Sequence, residues 1–142
     1  SFNPDFPPGT VVQVSTDTFA ELGAEDQEQF LPIEQLGFGE SSYTAIPPQD
    51  VISPQLPTGT AITVNKVHGH QPSINAIKAR LAPDLESMEG AAVFYCCNQL
   101  HIPSIQVRAV SNFVEPRKRE NWQINLAIEN LNDWAIRFLT NA

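Results

Sequence analysis

Apolar and polar positions along the chain fall into a few blocks. Thr10-Val11-Val12-Gln13-Val14 is short, β-branched and almost wholly apolar, and it follows the turn-forming Asp5-Phe6-Pro7-Pro8-Gly9, which marks a buried strand. Gly59 to Asn65 gives a second such strand and Ser104 to Val110 a third. Ile74, Ile77 and Leu81 share one face of a helix opened by Gln71-Pro72-Ser73, where proline costs little and a serine hydroxyl can cap. A second helix covers roughly Met88 to Leu100; its first turn, Gly90-Ala91-Ala92, is small enough for a neighbouring backbone to come close. The last helix runs from about Asn121 to Thr140. Ile124, Ala127, Leu131, Trp134, Ala135 and Phe138 form a stripe at helical spacing that suits packing on a sheet. Strands alternating with helices imply an α/β fold, a mixed sheet flanked by helices with part of it parallel.

From Ser15 to Pro57 the pattern is weak, and no regular element is expected there. So long an excursion inside a small domain is either a solvated acidic loop, carrying Glu25-Asp26-Gln27-Glu28, or a binding or partner-contact segment.

Composition narrows the classes. The 142 residues fit one domain, and 42% hydrophobic with 17% charged residues is ordinary globular composition. A net charge of -8 argues against nucleic acid as a partner, since Arg117-Lys118-Arg119 is the single basic cluster. That cluster is read as a solvated loop. No apolar run reaches membrane-spanning length. Cys96 and Cys97 are adjacent and lie in an apolar helical stretch, so they are read as reduced core residues of a cytoplasmic protein. His68 and His70 lack companions to complete a metal ligand set, so no metal is expected.

The chemistry concentrates in two segments. Leu85-Glu86-Ser87-Met88-Glu89 places a carboxylate at a helix start, and Val107-Arg108-Ala109-Val110-Ser111-Asn112 ends an apolar strand on a polar pair. In an α/β protein both kinds of position face the ligand crevice, so Glu89 and Asn112 are expected to share one site. A carboxylate accepts two hydrogen bonds and suits sugar hydroxyls; an amide both donates and accepts, which suits a neutral purine edge. Each has a plainer reading, Glu89 as a dipole-stabilised helix carboxylate and Asn112 as a turn former. Arg108 inside an apolar strand needs a partner, for which Glu86 is the expected carboxylate. There is neither a glycine-rich phosphate loop nor a Gly-x-Ser-x-Gly elbow.

Met88-Glu89-Gly90-Ala91-Ala92 and Arg108-Ala109-Val110-Ser111-Asn112, in that order and at that spacing, resemble the signatures of the purine nucleoside phosphorylase and nucleosidase superfamily. Val107 to Arg117, with Asn121-Trp122 and Leu126 to Leu131, resembles its futalosine hydrolase family more closely. The resemblance implies a nucleoside phosphorylase-like α/β fold, no cofactor, a small-molecule nucleoside (futalosine) as substrate, and a homo-oligomer, for whose subunit contact the stretch Thr16 to Glu28 is the candidate. It implies that Glu89 and Asn112 are catalytic, Glu89 on the ribose hydroxyls and Asn112 on the purine N7 and O6. Met88 would pack on the sugar, Val67 would line the base pocket, and Ser111 and Arg108 would contact substrate. Asn at position 112 fits a 6-oxopurine, because an amide N–H donates to a carbonyl that a carboxylate would repel. In that superfamily an opening strand, a glycine-rich turn and a water-orienting glutamate precede the position of Ser1. The chain is therefore expected to be a partial domain with the base and ribose half of a site, inactive alone. A 6-oxopurine nucleoside phosphorylase and a non-catalytic nucleoside-binding or oligomer-forming domain are the alternatives.

Overall fold

The strand expected at Thr10 to Val14 continues to Phe19 as β1 (Val11–Phe19), the hub of a five-stranded sheet. The computed structural model describes residues 1–49 and 55–140. One side of β1 runs parallel to β5 (Thr58–Thr63), which pairs in turn with parallel β6 (Leu85–Ser87). On the other side two antiparallel strands share the edge of β1. β7 (Gln106–Ala109) takes Val11 to Val14, and β4 (Ser42–Thr44) takes Thr16 to Thr18. The sheet is thus mixed, as the alternation of strands and helices implies.

Between its two halves β1 carries a bulge. Val14 lies opposite Gly59 and Thr16 opposite Thr60, so Ser15 is an extra residue. An inserted residue reverses which side chains face which side of a sheet. Val12 and Val14 face the core that holds Phe94, and beyond the bulge Asp17 takes that direction. Alternation along β5 shows that both sheet faces are covered. Ala61 belongs to the cluster of Val12, Val14, Leu85 and Phe94, whereas Ile62 and Val64 join Ile74 and Ile77.

Three helices supply the covers. α2 (Gln71–Leu81) joins β5 to β6 and buries Ile74 and Ile77, as its periodicity predicts. Its N-cap is His70, without a side-chain cap bond; Ser73 Oγ instead donates back to the His70 carbonyl at 2.8 Å. α3 (Gly90–Gln99) buries Gly90, Ala91 and Phe94. α4 (Ile124–Thr140) is preceded by a short 3-10 turn, Arg119–Asn121, and packs on β7 and β1. Ala127 is buried and Leu131, Trp134, Ala135 and Phe138 are half-buried, while Ile124 at the helix start is exposed.

Two expectations change. The stretch from Ser15 to Pro57 is largely regular: it holds the end of β1, a hairpin of β2 (Gly23–Asp26) and β3 (Gln29–Pro32), the short helix α1 (Ile33–Leu36), and β4. Part of it, residues 50–54, lies outside the described residues. The proposed contact segment Thr16 to Glu28 therefore starts inside the sheet, with Asp17 and Ala20 fully buried. The second change concerns the cysteines. Cys96 is exposed and Cys97 half-buried, because α3 turns its Gly90, Ala91 and Phe94 face to the sheet. Both thiols are free.

Candidate functional site

A cavity of about 330 Å³ opens between the ends of β5 and β6 and the segment that follows β7. That volume is at the small end of the range for ligand sites. Its lining brings together Val67, Arg108, Ser111 and Asn112 from the residues singled out in the sequence. Met88 and Glu89 are not part of the lining. They follow directly on Ser87, which is, and both are exposed.

The route by which Asn112 reaches the cavity differs from the one expected. β7 runs antiparallel to β1, so its carboxyl end lies at the amino end of β1, away from the carboxyl ends of β5 and β6. The segment after β7 then runs back towards the β5–α2 loop, where the Arg117 N–H donates to the Gly69 carbonyl at 3.3 Å. Asn112 is half-buried on this return path. Ser111 Oγ donates to its Oδ1 at 2.8 Å, and its Nδ2 donates to the Phe113 carbonyl at 2.8 Å. One amide N–H and the spare lone pairs of Oδ1 remain for a ligand.

Glu89 stands one residue earlier than the first-turn position expected for it. It is the N-cap of α3, with φ -130° and ψ -17°, and its side chain makes no cap bond. Its carbonyl receives the N–H groups of Ala92 and Val93. The carboxylate inside the cavity lining is Glu86. Periodicity gave no sign of this, because Leu85 to Ser87 is too short to register as a strand on sequence alone.

Glu86 is also not the partner of Arg108. Its Oε1 accepts the backbone N–H of His68 at 3.0 Å, and its Oε2 pairs with His68 Nδ1. The Glu86 and His68 side chains are 5% and 14% exposed, so the pair is formed largely out of water while both line the cavity. The histidines are thus split: His68 turns to Glu86, and His70 starts α2. Among the described residues no three His, Cys, Asp or Glu side chains cluster as a metal site would require.

The Arg108 charge acts on Asp17 without a direct ion pair between them. Asp17 is fully buried and accepts from Thr63 Oγ1 at 2.9 Å and Gln106 Nε2 at 2.9 Å. Burial pushes its carboxyl above the usual range, against the pull of those two hydrogen bonds and of the Arg108 charge. Thr63 Oγ1 accepts the Ala91 N–H at 2.8 Å, tying the network to the start of α3.

Two polar atoms of the lining residues are buried without a hydrogen-bond partner, Arg108 Nε and Ser87 Oγ. Unsatisfied buried polar groups cost about 1–3 kcal/mol each, and a third, Ser104 Oγ, lies away from this lining. Basic side chains add to this rim. Arg117 and Lys118 line the cavity, and the Arg117 and Arg119 guanidinium groups lie 5.0 and 5.8 Å from the centre of the Trp122 ring. The loop read as merely solvated therefore borders the site. The arrangement offers an amide, an arginine, a histidine–carboxylate pair and apolar walls, a donor set for a planar heteroaromatic ring with a polar substituent.

Comparison with known proteins identifies the family and the fold. The model of the phosphorylase superfamily matches residues 1–140, and the chain belongs to that family. It is 35% identical over 138 residues to a futalosine hydrolase of Streptomyces coelicolor, a match covering 93% of this chain and 58% of that protein. A futalosine hydrolase of Acidothermus cellulolyticus is 29% identical over 132 residues, covering 87% of this chain and 54% of the relative. The chain thus spans little more than half the length of these relatives. Among solved structures, a 5'-methylthioadenosine/S-adenosylhomocysteine nucleosidase of Campylobacter jejuni superposes with a TM-score of 0.73 at 16% identity, covering 100% of this chain and 66% of that one. The native futalosine hydrolase of Helicobacter pylori gives 0.70 at 11% identity, over 96% and 64%. Those two likenesses carry the fold, which is the nucleoside phosphorylase-like α/β arrangement expected from the motifs.

Proposed function

We propose that this chain forms the base-binding part of a nucleosidase that hydrolyses the N-glycosidic bond of futalosine and releases hypoxanthine. The observation that carries the reading is the meeting of Asn112, Arg108 and Ser87 at one cavity. The identity to futalosine hydrolases across most of the chain supports the choice of substrate.

In this reading the one free N–H of Asn112 donates to the O6–N7 edge of the base, where negative charge grows as the glycosidic bond breaks. Groups that bind that charge more strongly in the transition state than in the ground state lower the barrier. Ser111 holds the amide in the orientation that presents its N–H. Glu89, with Met88, serves the ribose, whose positive charge a carboxylate stabilises; both residues follow in sequence on the lining residue Ser87. Arg117 and Lys118 supply cations for the carboxylated tail of the substrate. Assembly into a homo-oligomer and a cytoplasmic location, which suits two free thiols, complete the proposal. The test, made on a protein that contains this chain at the full length of its relatives, is chromatographic detection of hypoxanthine released from futalosine, with and without inorganic phosphate. Release that requires phosphate would make the protein a phosphorylase, and binding of hypoxanthine without release would make it a nucleoside-binding domain.

A further inference from the structure

We infer that Glu86 locks His68 into one ring tautomer, and that His68 Nε2 thereby selects a base with an N–H at N1. This rests on the proposed purine site and adds to it a residue pair that reads a second edge of the base.

Geometry sets the tautomer. The backbone N–H of His68 is a fixed donor, and Glu86 Oε1 accepts it at 3.0 Å. The other carboxylate oxygen, an acceptor when ionised, faces Nδ1. Nδ1 therefore carries the proton of the neutral ring, and Nε2 carries the lone pair. Among the described residues Nε2 has no hydrogen-bond partner, and it is not among the buried unsatisfied atoms, so it is open to a ligand. The ring packs against Phe2, with centroids 6.3 Å apart and planes inclined at 64°, which restricts its rotation.

Chemistry then fixes what this atom can read. Around a 6-oxopurine the edge runs N7 acceptor, O6 acceptor, N1–H donor. The one free N–H of Asn112 serves the N7–O6 side, and an acceptor is required for N1–H. A 6-aminopurine presents a lone pair at N1, which would face the lone pair of Nε2. Asn112 and His68 line the same cavity, and together they offer a donor to the N7–O6 side and an acceptor to N1–H of an oxopurine.

Glu86→Gln provides a nearly isosteric test. The glutamine carbonyl keeps the backbone N–H, and its amide must then donate to Nδ1, which moves the ring proton to Nε2 and turns the acceptor into a donor. Calorimetric titration should show the wild type preferring hypoxanthine to adenine by about tenfold or more, the size of discrimination a matched polar group gives. Glu86→Gln should lower that ratio by about tenfold, with adenine gaining affinity, and His68→Phe should abolish the preference. Nitrogen-15 spectra of the free wild type at a pH where the ring is neutral should show a protonated Nδ1 and a bare Nε2. A protonated Nε2 in the wild type, or a base preference unmoved in both variants, overturns the inference alone. Failure of the wild type to bind hypoxanthine at all overturns the purine site and this inference with it.

Discussion

Gly90 and Asp17 stand so close that residue 90 has no space for a side chain: a Cβ there would lie 2.0 Å from Asp17 Oδ2 and 2.5 Å from Gln106 Oε1. The helix that follows the Met88-Glu89 pair is seated on a buried carboxylate, and its position relative to the sheet is set by that contact. The expectation of a close backbone approach at Gly90 is replaced by a close approach of two polar side chains.

Gly90→Ala should accordingly destabilise the protein by about 2–4 kcal/mol, since neither Asp17 nor Gln106 can move without breaking buried hydrogen bonds. Urea denaturation measures it. Gly69→Ala is the control: its Cβ would meet Arg117 Cβ at 3.5 Å, ordinary contact, so stability should change by less than about 0.5–1 kcal/mol.

The raised carboxyl of Asp17 carries a pH signature. Its folded value lies above the usual 3.8, so the native state holds this proton more tightly than the unfolded chain does. The stability contributed by the protonated form is complete below pH 3.8 and is lost as pH rises through the folded value. Unfolding free energies measured across that window should show Asp17→Asn lacking this downward component. Identical pH slopes for the two proteins would contradict it. Asp17→Ala, which strands Gln106 Nε2 and Thr63 Oγ1, should cost about 2–4 kcal/mol at neutral pH.

Asn112→Asp replaces the amide donor by a carboxylate that faces the O6 carbonyl of the base. Hypoxanthine affinity should fall by about 1–3 kcal/mol with the fold intact, as read by calorimetry alongside thermal melting. Unchanged affinity would remove Asn112 from the base site.

Arg108→Met keeps most of the packing volume but removes the unpartnered buried Nε. Stability should stay within about 1 kcal/mol of wild type, because the lost attraction to Asp17 is offset by relief of an unsatisfied group. Nucleoside binding should weaken about tenfold or more, the loss expected for a hydrogen bond to a charged group. A large stability loss with unchanged binding would assign Arg108 to the scaffold.

How far the sequence reaches is clearest along β1. Thr10 to Val14 announces a strand because its apolar side chains fill a covered sheet. The continuation to Phe19 is silent because the bulge at Ser15 breaks the alternation and turns a charged residue inward. β2 escaped notice for another reason: all four of its residues are exposed, so no hydrophobic pattern marks it. The three long helices were legible because each has a repeating apolar face or a small-residue start.

Local pattern therefore determined the element types, the α/β class and the two segments, around Glu89 and Asn112, where polar chemistry gathers. It left open which residues meet, since pairing depends on strand direction and register, and neither is encoded in the spacing of one segment. Only the tertiary structure turned β7 antiparallel and carried Asn112 back to the cavity. The same long-range packing gave Glu86 to His68 and Asp17 to the start of α3, because a buried charge takes whichever partner the fold brings within reach.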